Sequence, residues 1–301
     1  MNNAELYQEL FAHLDAADIF SPDFPHENAE TTLKMLWYAV LGNPCPLTQA
    51  CSVELSPLPE NKISELRSLV EKRICGVPLA HLTGRVNFMG YELLASEDVL
   101  IPRPETELLG NTVVERLLNE HSSKTEFIGI DIGCGSGNLS CAIVSIIPQC
   151  VIYAVDVTAS CVELTRKNTA FLNLENRITV FQGDLFSPIA DAGLKGAVDF
   201  IVSNPPYIPS AKLQTDLAHL TDYEPEAAFN GGVYGFALHH RLIKESLLYL
   251  KPGSMLAFEF GIGQEKQVQA LFKRVKGYDL PIHLINDKKG NPRVAVAYKN
   301  G

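Results

Sequence analysis

Asn204-Pro205-Pro206-Tyr207 places two hydrogen-bond acceptors and an aromatic ring in four consecutive positions. The Asn204 side-chain carbonyl and the Pro205 backbone carbonyl can each accept one N–H of a planar –NH2 group, and Tyr207 can cover its flat face. Each proline fixes its own φ and lacks an N–H, and each pushes the residue before it to extended backbone. The acceptors are therefore held before a target arrives, which lowers the entropy lost on binding. An amide nitrogen is a poor nucleophile, because its lone pair is delocalised into the carbonyl. Two fixed acceptors orient it and favour pyramidalisation as positive charge develops. No general base is evident. Taken alone, the stretch is equally well a plain turn after a strand; the rest of the chain decides between the two.

A second chemical stretch is Asp131-Ile132-Gly133-Cys134-Gly135-Ser136-Gly137-Asn138. Glycines spaced this way after an apolar run let a ligand approach the main chain. The spacing is G-x-G-x-G, whereas a dinucleotide site carries G-x-G-x-x-G. Asp131 ends one apolar run, Asp156 the next, and Asp184 follows the third. Asp156 stands where an acid accepts ribose hydroxyls, and Asp184 where it meets an adenine edge. With no lysine for phosphate, these acids suit a ligand that has ribose and base but no phosphate. S-adenosyl-L-methionine fits, its positive groups favouring an acidic pocket; its product would be S-adenosyl-L-homocysteine. Each acid alone could equally be a helix cap.

Regular alternation positions these stretches. From residue 124 onward, β-branched runs alternate with helical ones: "FIGIDIG", "GNLSCAIVSII", "VIYAVDV", "SCVELTRKNTAFL", "ITVFQGD", "VDFIVSN", "GFALHHRLIKESLLYL", "SMLAFEFG" and "QEKQVQALFKRV". This predicts an α/β fold, a doubly wound parallel sheet of seven strands. The last two strands, joined by "DKKGN", are expected as an antiparallel pair at its edge. His239 and His240 are expected on a helix surface. Residues 1–76 carry helical periodicity, with Leu6, Leu10 and Leu14 on one face and Ile63, Leu66 and Leu69 on another. They predict a small helical bundle. Residues 77–105 read as a connector with a β-hairpin around Met89-Gly90, and 106–301 as the catalytic domain, its first helix opening at Thr106.

Composition narrows the class. The 301 residues are 46% hydrophobic and 20% charged, which suits an ordinary globular protein. A net charge of −10 argues against a nucleic-acid backbone as the main partner. The seven cysteines form no C-x-x-C pair and read as free thiols of a reducing cytoplasm. No metal site is indicated. The N-terminal stretch reads as an amphipathic helix, not a signal peptide, and no apolar run is long enough for a membrane span. A cytoplasmic monomer is expected.

The motifs "PLAHLTG", "LIPRPETELL", "DIGCGSG", "AVDV", "GDLF", "IVSNPPYI", "EPEAAFNGG" and "FEFG" occur here in the order and spacing of a known family. The chain resembles the release factor glutamine methyltransferases, or HemK family, over nearly its whole length. The resemblance implies methyl transfer from S-adenosylmethionine to the side-chain amide of glutamine in the Gly-Gly-Gln motif of class 1 peptide chain release factors. It implies that Gly133, Cys134, Gly135, Ser136, Gly137, Asp156 and Leu185 line the cofactor pocket. Asn204 would touch both cofactor and substrate, and Pro205, Pro206 and Tyr207 would complete the substrate site. Apart from the resemblance, the helical bundle is expected to grip the protein substrate, the alternative being simple structural support. Asn-Pro-Pro-Tyr alone also matches enzymes acting on nucleic-acid adenine or a ribosomal protein glutamine, and a small-molecule amide is a further alternative. Two positions depart from the family. Leu185 stands where a large aromatic is common, and Val233-Tyr234 where an acid is usual. "IPRPETE" could contact substrate or fix a domain junction.

Overall fold

A computed structural model of the chain describes residues 2–17, 19–20, 27–44, 46–50, 52–120, 126–215, 217–232 and 236–301. They fall into two compact units, Met1–Glu97 and Asp98–Gly301.

In the first unit, α1 (Asn3–Asp15) opens where Asn2 and Glu5 each accept the other's backbone N–H. This capping box satisfies donors that a helix start leaves orphaned. Leu6, Leu10 and Leu14 share one face and are buried. α2 (Ala29–Val40) is buried nearly all round, and its Trp37 Nε1 donates to the Ser56 carbonyl at 2.9 Å. α3 (Leu47–Ala50), α4 (Ile63–Ile74) and α5 (Leu79–Thr83) complete the helical part. On α4 the buried residues are Leu66, Val70 and Arg73, while Ile63 and Leu69 stay half-buried. The stripe is rotated from the expected one, and it takes in Arg73, whose guanidinium pairs with Glu27 at 3.2 Å. β1 (Arg85–Phe88) and β2 (Tyr91–Leu94) form the hairpin, Phe88 opposite Tyr91. Met89 and Gly90 take φ of 50° and 83°, as a two-residue hairpin turn demands. The hairpin belongs to the first unit, and residues 98–105 to the second.

The second unit runs α6 (Thr106–Glu120), β3 (Phe127–Ile132), α7 (Asn138–Ile146), β4 (Cys150–Asp156), α8 (Ala159–Phe171), β5 (Ile178–Gln182) and β6 (Val198–Ser203). It continues with α9 (Ser210–Leu213), α10 (Ala237–Ser246), β7 (Leu250–Glu259), α11 (Glu265–Arg274), β8 (His283–Asn286) and β9 (Pro292–Tyr298). The sheet order is β5-β4-β3-β6-β7-β9-β8. From β3 the chain steps outward through β4 and β5, then returns to β3's other side with β6. That reversal makes a switch point, and crevices at the carboxyl ends of such strands are where open α/β sheets bind ligands. The sheet is parallel except for β9, which runs antiparallel to both β7 and β8. The antiparallel pair thus closes the sheet at one end, with β8 outermost and β9 inside it, so β9 is mostly buried while β8 is not.

β6 is buried along its whole length. Gly129 on β3 faces Phe200 on β6, and a Cβ there would stand 2.2 Å from Phe200 Cζ. Gly129→Ala is expected to destabilise the protein by roughly 1–3 kcal/mol through overpacking. Urea denaturation checks this, and an unchanged midpoint would show that the ring has room to move.

His239 is a correction. It is fully buried on α10, its ring edge-on to Phe258 with centroids 5.2 Å apart. Its Nε2 lies 3.3 Å from the Glu259 carbonyl oxygen. His240 is exposed as expected. One turn position separates an inward from an outward side chain, and a doublet cannot place both on one face. The described cysteines are free thiols, and Cys45 and Cys51 lie outside the described residues.

Candidate active site

β3 and β6 pair in register up to Ile132 and Ser203, and Ser203 Oγ donates to the Ile132 carbonyl at 2.7 Å. The glycine loop and the Asn204 corner therefore leave neighbouring strands at the same level. Gly133, Gly135 and Gly137 take φ of 71°, 57° and 78°. Beside the first two nothing lies within 4 Å of where a Cβ would stand, whereas one on Gly137 would meet Thr165 Cγ2 at 2.8 Å. The first two glycines thus leave an open cradle, and the third lets α8 approach.

The loop is braced from two sides. Gly133 and Cys134 both donate their N–H to the Val155 carbonyl. Asp156 accepts from Gly135 N and Thr158 N, each at 2.9 Å. Burial pushes its carboxyl up, while those backbone donors pull it back. From α8, Thr165 Oγ1 donates to the Gly135 carbonyl and Asn168 Nδ2 to the Ser136 carbonyl, each at 2.9 Å. Neither brace was expected. The signal was polar residues at helical spacing on the inward face of α8. Cys134 and Ser136 are buried, the Cys134 thiol 3.5 Å from Thr165 Oγ1.

Asp131 is fully buried, and Ser140 donates to its Oδ2 at 2.6 Å. Its Oδ1 has no hydrogen-bond partner among the described residues. Burial pushes the carboxyl up to about 7, more than the Ser140 hydrogen bonds pull it down. An orphaned acidic oxygen on the strand that leads into the glycine loop fits a ligand that brings positive charge or hydrogen-bond donors. The raised value has a sign for stability. Below about pH 4 the group is neutral folded or unfolded. Between about pH 4 and 7 only the unfolded chain releases the proton readily, so stability falls by about 1.4 kcal/mol per pH unit. Asp131→Asn removes that loss. Its melting temperature minus the parent's is expected to rise by several degrees between pH 5 and pH 7.5. A pH-independent difference would show that Asp131 does not titrate in this window.

The third acid behaves differently. Asp184 is exposed and makes two hydrogen bonds to Arg241 of α10, at 3.2 and 2.9 Å. Leu185 has φ of 48° and is buried in the core cluster beneath the sheet. Sequence spacing brought both beside the strand end but could not show where their side chains turn.

The Asn204 corner borders a cleft of about 400 Å³ lined by Asn204, Pro206, Tyr207, Phe229, Glu259 and Arg293 among others. Asn204 Nδ2 donates to Thr106 Oγ1 at 2.9 Å, and Thr106 Oγ1 donates to Glu259 Oε2 at 2.8 Å. Tyr207 Oη donates to Glu259 Oε1 at 3.0 Å. Arg293 Nη2 donates to that same oxygen at 2.7 Å and to Tyr207 Oη at 2.9 Å. Its guanidinium lies 5.6 Å from the Tyr207 ring centroid. Burial, and then the Glu259 charge, push the Tyr207 phenol well up, so it stays protonated and donates. Gln264 Nε2 holds the Tyr207 carbonyl at 3.0 Å.

Thr106, Glu259 and Arg293 were not expected as site residues. Glu259, an acid at the end of a buried strand, carries the signal that singled out Asp131. Thr106 sits in "IPRPETE", and in the same segment Arg103 pairs with Glu224 while Ile101 N–H donates to that carboxylate at 2.8 Å. The segment thus ties "EPEAAFNGG" to the corner, and Ile208 pairs with Asn230 of that stretch. Val233-Tyr234 lies outside the described residues.

Comparison with known proteins shows the family of the chain. Residues 111–221 match the model of the family described as Methyltransferase small domain. The release factor glutamine methyltransferase of Moorella thermoacetica is 32% identical over 86% of this chain and 89% of its own. That of Caulobacter vibrioides is 31% identical over 81% of each chain. The chain belongs to the release factor glutamine methyltransferase family. Among solved structures, the hMettl16 catalytic domain in complex with MAT2A 3′UTR hairpin 6 has a TM-score of 0.54 at 16% identity. It covers 77% of this chain and 81% of that one, a likeness of fold alone. Among the described residues of this family member, no helix is long and apolar enough to cross a membrane. No cluster that could hold a metal ion occurs among them either.

Proposed function

We propose that this enzyme transfers a methyl group from S-adenosyl-L-methionine to the side-chain amide nitrogen of the Gly-Gly-Gln glutamine in class 1 peptide chain release factors. The observation that carries the reading is the Asn204 amide, whose nitrogen is taken by Thr106 at 2.9 Å. Its carbonyl is left to accept from a substrate –NH2 in the cleft. The Pro205 carbonyl supplies the second acceptor, and Tyr207 the aromatic wall. The names of the relatives favour a release factor over ribosomal protein, small-molecule amide or nucleic-acid adenine substrates.

S-adenosylmethionine supplies an electrophilic methyl group carried on a sulfonium. The open cradle at Gly133 and Gly135 would admit it to the main chain, Asp156 would offer negative charge, and Asp131 would offer its unpartnered Oδ1. Asp156 would take the ribose hydroxyls on lone pairs its backbone donors leave over. Asp184 and Leu185 would border the adenine end only if Asp184 exchanges Arg241 for the ligand. Pro206 keeps the corner rigid, so the acceptors need not reorganise as charge develops on nitrogen.

The first unit, built on a helical bundle with its own core, would recognise the release factor. The division at residues 76 and 105 would separate recognition, connector and catalysis. The enzyme would act as a cytoplasmic monomer. Incubating purified release factor with labelled methyl donor tests the main reading. One methyl is expected on the Gly-Gly-Gln glutamine and none on its alanine variant. Methylation of adenine or of a free amide instead would sink the substrate assignment.

A further inference from the structure

We propose that Glu259 is a positioning residue that sets the hydrogen-bond polarity of the corner, acting through Thr106 to keep the Asn204 carbonyl turned toward the cleft. The proposal rests on the reading of Asn204 as an acceptor for the substrate amide.

The argument is one of proton count. An ionised carboxylate only accepts, and a threonine hydroxyl has one proton to give. Glu259 Oε2 accepts that proton from Thr106 at 2.8 Å. Thr106 Oγ1 then has only lone pairs left, so the group 2.9 Å away must be a donor. Asn204 meets this only by turning its –NH2 to Thr106, which leaves its carbonyl facing away. The direction of the chain is thus dictated from Glu259. Glu259 Oε1 in turn accepts from Arg293 Nη2 at 2.7 Å, and Glu259 is only 2% exposed, so its oxygens are committed to these donors.

Glu259→Gln would reverse the chain. Tyr207 and Arg293 both donate toward Oε1, so the carbonyl of the new amide must face them and its –NH2 must face Thr106. Thr106 then accepts there and gives its proton to Asn204. The Asn204 amide turns over and opposes a substrate –NH2 with its own –NH2. Asn204→Asp alone fails for the opposite reason. An acceptor then faces Thr106, whose only proton is already committed to Glu259. Combining the two changes repairs both conflicts. The amide introduced at position 259 donates to Thr106, Thr106 donates to one oxygen of the new carboxylate at position 204, and the other oxygen faces the cleft as an acceptor. The number of charges is unchanged.

Steady-state kinetics of the full chain with release factor, beside calorimetry of S-adenosylmethionine binding, tests this. Glu259→Gln is expected to lower kcat by roughly 10²-fold, the scale of losing a preorganised polar contact, with cofactor affinity within about twofold. Asn204→Asp is expected to fall similarly, and the double variant to regain about tenfold or more over either single, a coupling that merely structural damage does not produce. Double-variant activity at the product of the two singles would overturn the proposal. If Glu259→Gln does not fold, Thr106→Val and Thr106→Ser decide. The serine variant is expected near the parent, and the valine variant about tenfold lower in kcat with unchanged cofactor affinity. A valine variant equal to the parent overturns the proposal. Full activity of Asn204→Ala would instead overturn the underlying reading of the corner.

Discussion

Asn204→Ala is expected to lower kcat by roughly 10²–10³-fold, the usual cost of deleting one preorganised group that meets developing charge. The residue is half-buried at a strand end, and its side chain donates to Thr106 at 2.9 Å. Its loss therefore costs the fold little, about 1 kcal/mol for one hydrogen bond. The kinetic loss should appear in kcat more than in the KM for release factor, because the acceptor is needed most as the nitrogen pyramidalises. Rate measurement at saturating cofactor, with a melting curve on the same sample, separates chemistry from unfolding. Turnover within a factor of a few of the parent would show that the corner only turns the chain.

The largest stability effect is expected at Arg293. Its side chain is 11% exposed and that of Glu259 is 2% exposed, with 2.7 Å between Nη2 and Oε1. Removing one member of such a pair strands the other charge in a medium that cannot solvate it. Arg293→Met is expected to cost about 3–5 kcal/mol, a large share of the roughly 5–15 kcal/mol that holds a typical domain. Adding Glu259→Gln should recover part of the loss, because the stranded charge is then gone. Urea denaturation of parent, single and double variants measures this. A single-variant cost under about 1 kcal/mol would mean that water reaches the pair. Activity should fall as well, since Arg293 also donates to Tyr207 Oη at 2.9 Å and lies over its ring.

Much of the site was legible in the chain's local chemistry, because glycine and proline restrict or free the backbone wherever they stand. The Gly133–Gly137 loop and the Asn204–Tyr207 corner are of this kind, and so is the Met89-Gly90 turn with φ of 50° and 83°. Strand and helix order was legible for a second local reason, the different periods at which apolar residues recur. Those periods could place the α1 stripe, yet they misjudged α4, where Arg73 is held in by Glu27, and α10, where His239 packs on Phe258.

The sequence by itself determined the elements, their order, the cradle and the acceptor corner, since each follows from residues within a few positions of one another. Only the tertiary structure decided what the side chains around them do. Thr106 reaches Asn204 across 98 positions and Glu259 across 153, and no local period records such a meeting. Asp184 turned to Arg241 and Leu185 to the core for the same reason. A side chain's partner depends on which strands lie side by side, and here that adjacency is set by the chain's reversal between β5 and β6. The reversal sets the end of β6 beside the end of β3, and β7 beyond it brings Glu259 to the corner.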